Sequence, residues 1–192
     1  MSTQSNQEAI AEIWALFKAT DARMDAVLAE TAAQQQETAA ELRKLEGLFG
    51  MQWGKMLEAL VRPSALNLFR ARGIDIHYVY ERAQIRRNGE TREFDILLEV
   101  TTDLVVIEVK STLRVEDVND FLDDLDRFQD FFPRYEGYNI YGAVAGLNIA
   151  EDADRYAYKR GLYVLKVSGE GLVTIVNDTA FRARIFGNPA PQ

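Results

Sequence analysis

Few side chains in this sequence are of a kind that does chemistry. There is no cysteine, and His77 is the single histidine. That excludes disulfides, zinc–thiolate sites, cysteine nucleophiles and multi-histidine metal centres, and it leaves little room for a Ser-His-Asp mechanism. What remains is the chemistry of carboxylates, lysine and hydroxyls with a hard, oxygen-preferring metal ion. Charges inside apolar, strand-like segments are therefore the informative positions, because a strand that crosses a core should be apolar. Leu104-Val105-Val106-Ile107-Glu108-Val109-Lys110 is such a segment, and two-residue alternation puts Glu108 and Lys110 on one face. Phe94-Asp95-Ile96-Leu97-Leu98 carries one more charge in apolar surroundings.

Two carboxylates beside one lysine suit the cutting of a phosphodiester. Asp95 and Glu108 would hold Mg²⁺ or Mn²⁺, with the backbone carbonyl of Val109 and waters completing the shell. Such an ion stabilises charge on the phosphate and lowers the pKa of a bound water. Lys110 would orient or help deprotonate that water, or stabilise the charged transition state. Each residue also has a plainer reading: Glu108–Lys110 as an ion pair at a strand end, and Asp95 as a turn or edge residue. His77 reads as a strand residue packing near Tyr78 and Tyr80 rather than as a base.

The elements that must position these residues follow from periodicity and punctuation. His77 to Tyr80 begins a strand, Asn88-Gly89 is a hairpin turn, and Glu93 to Val100 returns. Thr102-Asp103 leads into Leu104 to Lys110, so the three segments form a meander with Asp95 beside Glu108. Val115 to Phe132 has helical spacing and closes at Pro133. Tyr138 to Ala145 is a buried strand, Ala150 to Arg160 a helix, and Leu162–Val167 and Leu172–Val176 the last strands. Upstream, Trp53, Met56, Leu57, Leu60 and Val61 mark a helix that Pro63 should kink or restart and that Gly73 follows.

The N-terminal part differs in kind. From Gln7 to Glu46 there is no proline or glycine, and helix-favouring residues dominate. Ile10, Ile13, Phe17, Thr20, Met24, Val27, Thr31 and Gln34 alternate at spacings of three and four, the seam of a coiled coil. The stripe turns polar through Thr38, then resumes at Leu42, Leu45 and Phe49 after a shift of register. A narrow stripe on so long a helix needs a partner, so a homo-oligomer is expected, with a helix folded back on its own domain as the alternative. Gly47, Gly50 and Gly54 read as a joint. Residues 1–46 are thus expected to be a helical coiled-coil arm, 47–186 a mixed domain and 187–192 a tail.

With these elements in order, the sequence resembles the PD-(D/E)XK phosphodiesterase superfamily. Asp95, twelve intervening residues and then Glu108-Val109-Lys110 match its D…(D/E)XK signature, with Phe94 where a proline often stands. The superfamily core runs α-β-β-β-α-β, the order read for residues 53–145. Many members add a glutamate from the first helix, and Glu58 matches that position. The chain is also similar to an uncharacterised prokaryotic group in which a coiled coil precedes a nuclease-like domain. The resemblance implies an α/β, restriction-endonuclease-like mixed sheet flanked by helices. It further implies a metal-dependent nuclease with Glu58, Asp95 and Glu108 as ligands, and DNA favoured over RNA.

For docking, Arg82, Arg86, Arg87 and Arg92 bracket the Asn88-Gly89 turn, a local excess of +2 over residues 81–92 (four arginines minus two glutamates). A basic hairpin tip suits phosphates, and its plainer reading is a solvated turn. The acidic run from Glu116 to Asp126 reads as the wet side of a helix. A net charge of −8 argues against a protein that simply adheres to nucleic acid. The alternative function is accordingly a catalytically inactive oligomerisation or binding module that keeps the fold. No apolar run approaches the roughly 20 residues of a membrane span and no signal-like segment opens the sequence, so a cytoplasmic location is expected.

Overall fold

The computed structural model describes residues 2–87, 89–168 and 173–187, with side chains up to residue 51 described at some positions only. The expected turn residue Asn88, Leu172 and the tail from residue 188 lie outside the described residues, as do the side chains of Ile10, Ile13, Phe17, Leu45 and Phe49. Met1–Gly50 and Met51–Gln192 form two units, each described by itself.

Helix α1 is assigned over Ser2–Ala71. The restart expected at Pro63 does not occur. Pro63 denies a donor to the carbonyl of Ala59, but both residues are exposed, so water can serve that carbonyl. The hydroxyl of Ser64 donates to the carbonyl of Leu60 (3.2 Å) on the same turn. Burial then outweighs the local cost: Leu57, Val61, Ala65 and Phe69, each four residues on, are at most 2% exposed. In the N-terminal unit Met24, Val27 and Leu42 are exposed. Thr20, Thr31 and Thr38 turn their hydroxyls back onto the carbonyls of Leu16, Val27 and Gln34.

The second unit holds one sheet. Strands β1 (Tyr78–Arg87), β2 (Glu90–Glu99) and β3 (Asp103–Leu113) form the expected antiparallel meander. Arg87 pairs with Glu90 at the hairpin end, where Gly89 takes a positive φ that glycine adopts freely. Helices α2 (Val115–Asp126) and α3 (Phe128–Phe131) and a 3₁₀ turn (Pro133–Tyr135) replace the single expected helix. Strand β4 (Asn139–Ile149) runs parallel to β3. After helix α4 (Ala153–Lys159), β5 (Tyr163–Val167) adds in parallel and β6 (Val173–Ile175) closes antiparallel. The spatial order is β1-β2-β3-β4-β5-β6.

Both faces of the sheet are covered, which is why β3 and β4 read as near-continuous apolar runs. Leu57, Val61, Ala65 and Phe69 pack with Ile96, Leu98, Val105 and Ile107 on one face. Val118, Phe121, Leu122 and Leu125 of α2 and Ala153 and Ala157 of α4 pack with Leu97, Leu104, Val106 and Val144 on the other. Among the described residues no helix is long and apolar enough to cross a membrane.

Candidate active site

The β2–β3 register runs from Glu99↔Leu104 to Ile96↔Ile107 and then stops. Carried one step further it sets Asp95 opposite Glu108, the juxtaposition that the meander predicts. In place of a backbone pair, the carboxylate of Asp95 accepts the N–H of Val109 at 2.7 Å. Glu108 and Lys110 share a face, and Lys110 Nζ donates to Glu108 Oε1 at 2.6 Å. Glu58 stands on α1 directly after the buried Leu57 and is itself half-buried.

The electrostatics mark these groups as mutually strained. Burial and then the facing Asp95 push the Glu108 carboxyl up to about 7, against the pull of Lys110. Burial also raises Asp95, although the Val109 N–H and the Lys110 ammonium hold it back. Glu58 rises through burial and the nearness of Asp95. For Lys110 burial works downward, yet the Glu108 carboxylate outweighs it and holds the ammonium above its ordinary value. Carboxylates crowded this way favour either a shared proton or a cation.

The donor set fits a hard divalent ion, since every candidate ligand is an oxygen. Among the described residues there is no group of three or more histidine, cysteine, aspartate or glutamate side chains arranged to hold a metal ion. The set is thus the pair Asp95 and Glu108, with the Val109 carbonyl on the strand between. One or two carboxylates plus waters are what Mg²⁺ commonly takes. Asp95 lies close enough for its charge to be felt at Glu58, yet the three carboxylates form no compact trio.

The four hairpin arginines divide. Arg82 donates to Glu93 Oε1 at 2.6 Å and lies 3.9 Å from Glu58 Oε2. Arg87 donates to the carbonyl of Asp130 at 2.7 Å, and Arg92 to Asp124 Oδ1 at 3.0 Å. Arg86 is exposed and carries no ion pair or hydrogen bond among the described residues. The acidic run on α2 is not uniformly a wet face: Asp124 raises Glu108 as well as holding Arg92, while Asp117 caps the helix at the Arg114 N–H (2.8 Å) and adds to the field at Lys110. Helical spacing alone carried no sign of either contact with the sheet. Outside the site, His77 is exposed and meets Asp75 at 3.2 Å.

Strands β1 and β2 change phase at this place. Tyr80 and Ala83, three apart, pack on the same face of the sheet, as do Leu97 and Phe94 opposite them. In an alternating strand such residues would face opposite ways. The skipped step falls on Arg82 and Asp95, the one unpaired position between Glu81↔Ile96 and Ala83↔Phe94. Arg82 absorbs it with a φ of 50°, left-handed backbone that an arginine seldom adopts.

No family model matches the sequence, and no curated protein is detectably similar to it. Among solved structures, a repair endonuclease from Pyrococcus abyssi aligns over 58% of this chain and 46% of its own, at 21% identity and a TM-score of 0.40. A protein of unknown function aligns over 53% and 54%, at 17% identity and a TM-score of 0.37. The small subunit of a heterodimeric restriction endonuclease aligns over 54% and 59%, at 17% identity and a TM-score of 0.32. The chain therefore spans about half the length of the structures it matches, and likenesses of this size leave any functional reading to rest on the residues. The succession of helix, antiparallel three-strand meander, helix and a fourth strand parallel to the third is the α-β-β-β-α-β order that the resemblance implied.

Proposed function

We propose that this chain is a metal-dependent nuclease that hydrolyses phosphodiester bonds, with DNA as the preferred substrate. The observation that carries the reading is the meeting of Asp95 and Glu108 where the β2–β3 pairing ends, with Lys110 hydrogen-bonded to Glu108. Asp95, Glu108 and the Val109 carbonyl would hold Mg²⁺ or Mn²⁺, with Glu58 as an additional ligand. Bound there, the ion would supply charge neutralisation at the phosphate and a more acidic water. Lys110, kept protonated by Glu108, would orient the attacking water and stabilise negative charge on the phosphoryl oxygens. Arg86, exposed on the hairpin, would contact substrate phosphates together with those of Arg82, Arg87 and Arg92 that exchange their internal partners for them.

The N-terminal stripe supports a homo-oligomer. Met24 and Val27 are exposed on the heptad-spaced seam and Leu42 is exposed where the stripe resumes after its shift of register, and two or more copies would bring several sites to one duplex.

The decisive test is Mg²⁺- or Mn²⁺-dependent cleavage of mixed DNA substrates by wild type, Asp95→Ala and Lys110→Ala. Cleavage by wild type alone is expected; neither cleavage nor metal binding by wild type would end the enzyme reading. A second reading, a nuclease-fold binding module without catalysis, is favoured by the lack of a three-carboxylate group among the described residues.

A further inference from the structure

Arg82 is the strained residue of the sheet, and the strain has a location. A left-handed φ at a residue other than glycine, asparagine or aspartate is unfavourable and persists only where surrounding interactions over-determine it. What holds Arg82 here is a pair of carboxylates: Glu93 at 2.6 Å on one guanidinium nitrogen and Glu58 at 3.9 Å on the other. The position is directly opposite Asp95 in the β1–β2 register, where both strands skip a face. A regular strand would alternate through this point. The slip instead sets the guanidinium between the hairpin and α1, beside the carboxylate that a third ligand would have to supply.

Resting on the metal-site reading above, we propose that Arg82 is the internal counter-ion of Glu58 and competes with the divalent cation for it. Glu58 has two claimants: the Arg82 fork, which ties it to Glu93, and an ion held by Asp95 and Glu108. While Arg82 keeps Glu58, the ion has two protein carboxylates; when Arg82 lets go, it has three. Arg82 is then a positioning residue that sets metal affinity and is freed towards the substrate phosphate as the ion is bound. The bridge is only partly buried, with the Arg82 side chain 43% exposed, so water and ions can reach it and exchange is open to it.

The test is Mn²⁺ binding by isothermal titration calorimetry on the full chain, comparing wild type, Arg82→Gln, Arg82→Gly, Asp95→Ala and Arg62→Gln. Arg82→Gly is the variant that the local backbone favours, since glycine adopts φ near 50° without strain, and it protects the test if Arg82→Gln fails to fold. Arg62→Gln removes an equal charge one helical turn beyond Glu58, where Arg62 is paired to Glu81 at 2.8 Å, and controls for net charge. Both Arg82 variants should tighten Mn²⁺ binding roughly three- to tenfold, the scale of removing one partly screened neighbouring charge, while Arg62→Gln stays within about twofold of wild type. The deficit in melting temperature of Arg82→Gln should also narrow when Mn²⁺ is saturating, because the variant gains more from binding. A merely structural arginine would leave that deficit the same with and without Mn²⁺. Unchanged or weaker affinity in both Arg82 variants, with wild-type binding that depends on Asp95, overturns the role of Arg82 and leaves the metal site standing. Absence of Asp95-dependent binding in every variant overturns both.

Discussion

The carboxylate of Asp95 accepts the backbone N–H of Val109 at 2.7 Å, so the residue proposed to hold an ion also closes the ladder between β2 and β3. Its two tasks separate by substitution. Asp95→Asn keeps an acceptor for the Val109 N–H and sheds a buried charge, so its urea midpoint at neutral pH should equal or exceed that of wild type, with metal binding lost. Asp95→Ala strands the N–H and should cost about 1–3 kcal/mol. Equal midpoints for the alanine variant and wild type would show that the hydrogen bond contributes nothing.

Glu108 should make the fold less stable as the solution becomes neutral. Its carboxyl is pushed up to about 7 from the usual 4.5, so the folded chain binds this proton more tightly than the unfolded chain does. Its contribution is then fully present below about 4.5 and is lost as pH rises to about 7. The difference in denaturation midpoint between wild type and Glu108→Gln should therefore widen, in favour of the variant, over that interval. Saturating Mg²⁺ should restore wild type more at the upper end than at the lower, because the ion binds the ionised carboxylate. A pH-independent gap between the two proteins would contradict the placement of Glu108.

Lys110→Met separates catalysis from ion binding. Cleavage should fall by roughly 10²–10⁴-fold, the usual weight of a positioned proton-transfer or charge-stabilising group, with Mn²⁺ affinity retained. The lysine also pulls the Glu108 carboxyl down, so its removal should move the pH dependence of Mn²⁺ binding toward higher pH. Loss of Mn²⁺ affinity in this variant would place Lys110 in the architecture of the ion site instead.

Gly142 on β4 tests the packing behind the site. A Cβ there would lie 2.5 Å from both Leu125 Cδ1 and Leu162 Cδ2, two side chains that are fully buried. Neither has room to yield, so Gly142→Ala should destabilise by about 1–3 kcal/mol in chemical denaturation. A wild-type midpoint would mean that Leu125 and Leu162 close on Gly142 less tightly.

The arm can be tested without deleting it. Charging the seam with Met24→Asp and Val27→Asp together should reduce the mass in light scattering to that of a monomer of 21.8 kDa. An unchanged mass would remove the coiled coil as the basis of association.

The meander and the Asp95–Glu108–Lys110 set were legible because alternation and short turns are local signals, and β3 obeys them from Leu104 through Lys110. The helix break expected at Pro63 is absent from α1, since propensity misses the burial of Leu57, Val61, Ala65 and Phe69 that stabilises this stretch. The phase slip at Arg82 left no trace in residue type: no glycine or proline marks it, and the carboxylates that its guanidinium meets, Glu58 and Glu93, lie on neighbouring segments. Asp124 was unreadable for the same reason, because its partners Arg92 and Glu108 sit on strands that helical spacing does not reach.

Strand order in space repeats strand order in the chain, and this bears on how the domain folds. Each pairing joins consecutive strands, so no strand must wait for a distant one before it has a neighbour. Closing short loops costs little entropy, and topologies rich in such contacts cross their folding barrier quickly. The hairpin and the turn after it can bring Asp95 to Glu108 from fewer than forty consecutive residues, Tyr78 to Leu113, before α2 and α4 seal the opposite face. The groups that would do the chemistry are thus the product of the most local steps in the folding of the sheet, and the layers around them consolidate an arrangement already made.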